Sequence, residues 1–175
     1  MSSPGIHETF MREALKEAKK AFDKGEVPVG AVVVFPATKM AGPSSGGQNK
    51  VIARAYNQME MLHDPTAHAE MIAITQAADF LRSESGDKHR GSLEKASLYV
   101  TVEPCPMCAG ALVLSHCQNL IFAAKDPKAG ACGSLYNITQ DDRLNHRLNV
   151  TGSILEMESK ILLQEFFKTL RKDKR

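Results

Sequence analysis

SLYVTVEPCPMCAGALVL, residues 97–114, changes character once, at its prolines. The first seven residues, Ser97 to Glu103, are mostly β-branched, aromatic or aliphatic, and they predict a strand. Pro104 and Pro106 then break the ladder. A proline in the first helical position is pre-set for a helix and gives up an N–H that has no partner there anyway, so PCPMCAGALVL reads as a helix. A strand that runs straight into a helix is the building unit of an α/β protein.

The neighbouring segments repeat that alternation. Downstream, LIFAAK (120–125) and NVTGSI (149–154) predict two more strands, and Ile161, Leu162, Phe166, Phe167 and Leu170 predict the apolar side of a C-terminal helix. Upstream, MIAITQAADFL (71–81) is helical, with Asp64 as its expected N-cap and Pro65 in its first turn. Earlier still, VPVGAVVVF (27–35) is apolar almost throughout and predicts a strand buried on both faces, and Val51 to Tyr56 is its return strand. The intervening PATKMAGPSSGGQN predicts a flexible hairpin loop at about 36–49. Phe10, Ala14, Ala18 and Phe22 recur at helical spacing, so a first amphipathic helix is expected from His7 to Lys24, ended by Gly25. Strands alternating with helices give one sheet flanked by helices, a three-layer α/β/α sandwich.

The 175 residues amount to one domain, 1–175, large enough to bury a core without a metal to hold it together. With 43% hydrophobic and 24% charged residues the composition is that of a soluble globular protein. No run approaches the roughly 20 apolar residues of a membrane span, and the first residues lack a secretory signal, so a cytoplasmic protein without a membrane partner is expected. A net charge of +2 and 6% aromatics neither require nor exclude a nucleic-acid partner. Four cysteines in such a chain argue for thiols, catalysis or metal rather than disulfides. Cys117 and Cys132 read as buried free thiols.

Cys105 and Cys108 lie three apart at a helix start, on one face, where unpaired N–H groups and the positive helix end favour thiolate. Alone, the pair suits a metal site, a redox motif or a core equally. The triplet His68-Ala69-Glu70 alone reads most simply as a capped helix with an incidental histidine. Residues two apart point to opposite sides of a regular helix, so His68 and Glu70 share a centre only at the helix end. Taken together, one His and two Cys make the three-ligand set of a catalytic zinc, with the fourth position left for water. Bound zinc lowers that water's pKa from 15.7 towards ~7, and a carboxylate that is not a ligand, Glu70, can carry its proton.

H-x-E followed by P-C-x-x-C, present here as His68-Ala69-Glu70 and Pro104-Cys105-Pro106-Met107-Cys108, is the known signature of nucleobase deaminases that use zinc. Beyond it, EVPVGAV (26–32), HDPTAHAE (63–70), LYVTVEPCPMCAGAL (98–112), FAAKDPKAGACGSL (122–135) and LNHR (144–147) resemble the bacterial tRNA adenosine deaminases. The resemblance implies a cytidine deaminase-like fold with a central five-stranded mixed sheet. It implies one Zn2+ per subunit on His68, Cys105 and Cys108, and no organic cofactor. It makes Glu70 the proton shuttle as zinc hydroxide attacks the purine C6, converting the wobble adenosine to inosine in the anticodon stem-loop of an arginine tRNA. Asn57, Asp126, Asn145, His146 and Phe167, with the basic tail Arg171 to Arg175, match substrate-binding positions. Taken without the resemblance, Asn57 and Asp126 read as turn residues. A homodimer whose two sites each draw on both subunits is also implied. The hairpin loop is longer than the family pattern, and Asn137 stands where a carboxylate is common.

Two other readings compete. A deaminase of guanine, cytidine or a nucleotide would carry the same zinc signature. A structural zinc subunit would need a fourth protein ligand, such as His63 or a distant cysteine, and would have no use for Glu70.

Overall fold

A computed structural model describes residues 5–36, 49–85 and 91–173 of the chain. The elements are α1 (Ile6–Asp23), β1 (Gly30–Phe35), β2 (Lys50–Tyr56), α2 (Met59–Leu62), α3 (Ala69–Ser85), β3 (Ser97–Val102), α4 (Pro106–Leu114), β4 (Asn119–Ala124), β5 (Asn149–Thr151) and α5 (Glu156–Asp173). A 3-10 turn, Ile138–Gln140, precedes β5. The hairpin loop expected at 36–49 lies, apart from its two end residues, outside the described residues.

The sheet order is β2-β1-β3-β4-β5. β1 is antiparallel to both β2 and β3, while β3, β4 and β5 run parallel, so the sheet is mixed as expected. The parallel pair β3 and β4 is joined by a helical crossover, α4, which lies with α3 on one face of the sheet, while α1 and α5 cover the other. All six residues of β1 are buried. Val32 and Val34 join Met11, Ala14, Tyr99 and Ile121 on the face covered by α1. Ala31, Val33 and Phe35 join the alanines of α3 and Leu112 and Val113 of α4 on the other.

The strand predicted over 27–35 is shorter than its apolar run. Val27 to Val29 form a tight turn, Val29 N–H donating to the Val27 carbonyl at 2.7 Å, and the ladder begins only at Gly30. At Gly30 the α1 backbone crosses: a Cβ there would lie 2.2 Å from the Ala14 carbonyl oxygen and 2.3 Å from the Ala18 nitrogen. Only glycine allows that approach, which brings α1 directly onto the sheet.

The C-terminal helix forms, but only part of the apolar side read from the sequence is covered, Phe166 being buried and Leu162 half-buried. Ile161, Phe167 and Leu170 are exposed. α5 docks through the expected Phe166, edge-on to Phe22 of α1 with ring centroids 5.7 Å apart, and also through Ser159, whose hydroxyl donates to the Thr101 carbonyl. A serine at the contact lets the helix approach β3 closely, a cue that an apolar count overlooks.

Candidate functional site

His68 is positioned by a turn rather than by the first turn of a helix. The Asp64 carboxylate accepts the Thr66 N–H and the Thr66 hydroxyl, both at 2.7 Å, and the Asp64 carbonyl accepts the Ala67 N–H at 3.1 Å. Asp64 therefore caps a separate turn, and α3 starts at Ala69, five residues after the expected cap. The His68 carbonyl accepts the Ile72 N–H at 3.1 Å, which makes His68 the residue at the helix mouth. Glu70 follows in the first turn of α3. His68 and Glu70 thus stand together at the helix end, both lining one pocket, but behind a different cap from the one expected.

α4 brings the cysteines to the same place. Cys105 has extended backbone in the N-cap position, Pro106 follows, and the Cys105 carbonyl accepts the Ala109 N–H at 2.9 Å. Cys108 lies one turn on, fully buried. His68 Nδ1 is 3.7 Å from Cys105 Sγ and 3.5 Å from Cys108 Sγ. A tetrahedral metal with Zn–S near ~2.3 Å and Zn–N near ~2.05 Å requires an N···S separation of about 3.6 Å. The donors therefore stand where zinc would need them. Among the described residues the cluster has three members, and neither His63 nor another cysteine joins it.

The three donors are coupled through shared protons, with Cys105 the one driven toward thiolate. Hydrogen bonding with Cys108, and then with His68, pulls the Cys105 thiol down to about 4 and raises Cys108, as two adjacent sulfurs share a proton. The hydrogen bond to Cys105 raises the His68 imidazole. Glu70 is 4% exposed, and burial pushes its carboxyl above the usual range. Such a group holds and releases a proton more readily near neutral pH than a solvated carboxylate does.

These groups share a pocket of about 190 Å³ whose walls include Asn57, His68, Glu70, Glu103, Cys105 and Asp126. The pocket opens at the carboxyl ends of β2, β3 and β4 and at the amino ends of β1, α3 and α4. Asn57 is buried at its wall. Its Nδ2 donates to Glu26 at 3.1 Å, and Glu26 also accepts the Met61 and Glu60 N–H groups at 2.8 and 3.3 Å. Asp126 is at once a turn residue and a wall residue. Its Oδ1 accepts the Lys128 and Ala129 N–H groups at 2.8 and 3.2 Å.

Asn145, His146 and Phe167 do not line this pocket. His146 Nε2 lies 2.7 Å from the Cys117 carbonyl, just past the far end of α4, and its ring packs on His116 with centroids 5.0 Å apart. Asn145 is exposed. Phe167 is exposed on α5 against Phe166. Cys117 and Cys132 are buried free thiols, as expected.

Two buried carboxylates escaped the sequence reading, Glu26 and Glu103. Burial works to raise Glu103, but hydrogen bonds from the Ser134 side chain and backbone and from the Asp126 and Cys132 N–H groups hold it below the usual carboxylate range. The available signal was position alone: each acid abuts an apolar strand, a place where an unpaired charge would be costly.

The MafB19-like deaminase family model matches residues 6–171. The tRNA-specific adenosine deaminase of Bacillus subtilis (strain 168) is 45% identical over 168 residues, covering 96% of this chain and 92% of that protein. That of Aquifex aeolicus (strain VF5) is 46% identical over 164 residues, covering 94% and 95%. A solved structure from work on A-to-I editing by tRNA:A34 deaminases at the wobble position of transfer RNA superposes with TM-score 0.74 and 36% identity, over 89% of this chain and 99% of that one. The guanine deaminase of Bacillus subtilis superposes with TM-score 0.55 and 31% identity, over 74% of this chain and 71% of that one. With identity this high over nearly the full length of its relatives, the chain belongs to the tRNA-specific adenosine deaminases, within the MafB19-like deaminase family.

Proposed function

We propose that this protein hydrolytically deaminates the wobble adenosine of a tRNA anticodon loop, in an arginine tRNA, to inosine. The carrying observation is Glu70, buried beside three metal-spaced donors and lining, with His68 and Cys105, a pocket of about 190 Å³. His68, Cys105 and Cys108 would hold Zn2+, which supplies a Lewis acid that makes water acidic enough to attack near neutral pH. Glu70 takes one proton of the water that adds at purine C6 and delivers it to N1. It then takes the second from the new C6 hydroxyl, as the C6 carbonyl forms and the C–N bond breaks, and passes it to the amine, which leaves as ammonia. Asn57, held by Glu26, offers the base a fixed amide, and Asp126 bounds the opposite wall.

The pocket is well below the roughly 300–1,000 Å³ of sites for larger ligands, which supports recognition of a single extruded base. An anticodon loop presents such a base at low cost, because loop bases are unpaired and can be splayed out. Asn145, His146 and Phe167 serve the substrate from outside this pocket, as parts of a homodimer in which each site borrows from the partner. The enzyme works in the cytoplasm.

The test is incubation with a panel of anticodon stem-loops bearing adenosine at the wobble position, followed by sequencing for inosine. Conversion of the arginine stem-loop is expected, and its loss in Glu70→Ala while zinc stays bound. The 31% identity to a guanine deaminase motivates a parallel arm with free guanine. Turnover of guanine with no inosine in any stem-loop would overturn the proposal.

A further inference from the structure

The loop from Asp126 to Ser134 folds onto one side chain that is not a ligand, Glu103 at the end of β3. Glu103 is 3% exposed. Its Oε1 accepts the Cys132 and Ser134 N–H groups, both at 3.0 Å. Its Oε2 accepts the Asp126 N–H at 3.1 Å and the Ser134 hydroxyl. Four donors from both ends of the loop thus converge on one carboxylate.

The middle of the loop is equally close. A Cβ at Gly130 would lie 2.5 Å from the Glu103 carboxyl and 2.5 Å from the Asp126 carbonyl oxygen. Beside these contacts, the Ala131 N–H donates to the Pro104 carbonyl at 2.8 Å. The loop is therefore tied to residues 103 and 104, immediately before the metal-spaced Cys105. Glu103 also forms a common wall between the Asp126 pocket and a neighbouring cleft lined by Lys125, Ser134 and Ser153.

We propose that Glu103 is a positioning residue that sets the Asp126–Ser134 loop against the metal-binding segment, fixing the wall on which the RNA is seated. This rests on the RNA-deaminase reading above. A glutamine in its place has the same shape but turns one acceptor into a donor. At one of the two oxygen positions an N–H of the loop then meets another N–H, and no rotation of the amide serves all four donors.

The experiment compares zinc-loaded wild type with Glu103→Gln, Gly130→Ala and Ser134→Ala by hydrogen exchange and by stem-loop kinetics. For Glu103→Gln, faster exchange confined to the Asp126–Ser134 loop is expected, with protection of α3 and β3 kept and about one zinc per chain retained. KM for the stem-loop rises roughly ten- to a hundredfold, the equivalent of leaving one buried N–H without a partner, while kcat changes little. Gly130→Ala gives the same pattern by pushing the loop off the carboxylate, and Ser134→Ala a weaker one. Unchanged loop exchange and KM would overturn the proposal, as would a joint fall of zinc, kcat and global protection. The exchange arm needs no substrate, so it decides the role of Glu103 even if no RNA proves to be deaminated.

Discussion

Glu70 and Cys108 are both buried at the site but have different proposed roles, which substitution separates. Glu70 is outside the three-member cluster, so Glu70→Gln leaves the donors intact. Its expected effect is a loss of deamination of about 10²–10⁴-fold, the usual share of a general acid–base, with metal content unchanged by elemental analysis. Because burial disfavours the carboxylate, the neutral glutamine also leaves the melting temperature equal to or above that of wild type. An inactive variant that had lost its metal would instead mark Glu70 as a ligand. Cys108→Ser removes a donor 3.5 Å from His68 Nδ1, and both metal and activity are expected to go together. Cys117→Ser is the matched control: that thiol is equally buried but bonds only backbone carbonyls, and its loss leaves the metal in place.

Whole elements obey contacts that single residues disclose unevenly. The strand–helix unit at 97–114 was legible because its chemistry is local: β-branched residues, then proline, then a helix. The start of α3 was not, because Asp64 is a good cap wherever it stands, and only the Thr66 hydroxyl, competing for the same carboxylate, closes a turn ahead of the helix. The buried face of α5 was read only in part for a related reason: Phe166 docks as its apolar character suggests, but Ser159 docks by a hydrogen bond to Thr101 that hydrophobic periodicity does not register. Glu26 and Glu103 stayed hidden because most of their partners are backbone N–H groups, which carry no side-chain signature, and each has a single side-chain donor, Asn57 and Ser134, far off in the sequence. Gly30 shows the converse, a residue whose whole meaning is the element laid across it. Gly30→Ala would set a Cβ 2.2 Å from α1 backbone, too close for a rotamer change to relieve. A loss of about 3 kcal/mol in urea unfolding is expected, at the upper end for overpacking. A loss under about 0.5 kcal/mol, ordinary for a surface site, would mean that α1 can ride away from the sheet.

At the scale of the molecule, the ends of three strands and the starts of two helices meet at one corner, yet three matched substrate positions lie elsewhere. His146 is held beyond the far end of α4 by the Cys117 carbonyl, and Phe167 stands exposed on α5. If these residues serve catalysis, they do so on RNA outside the pocket or in the site of a second subunit, and the two cases differ in a mixing experiment. Glu70→Ala keeps Phe167 but lacks the proton carrier; Phe167→Ala keeps Glu70 but lacks the aromatic ring. In a two-fold dimer with isologous halves, co-expression makes half of the molecules heterodimers. In each heterodimer the pocket with Glu70 receives Phe167 from its partner, so about a quarter of all sites become complete. Sharing between subunits therefore predicts recovery of stem-loop deamination to about a quarter of wild type, from two parents that are each impaired. Action within one chain gives no gain on mixing, because no chain then carries both residues. The dimer itself is checked beforehand by sedimentation, as a species of twice 19.1 kDa. A monomer there, or a mixture no more active than its parents, would leave Phe167 without a role across an interface.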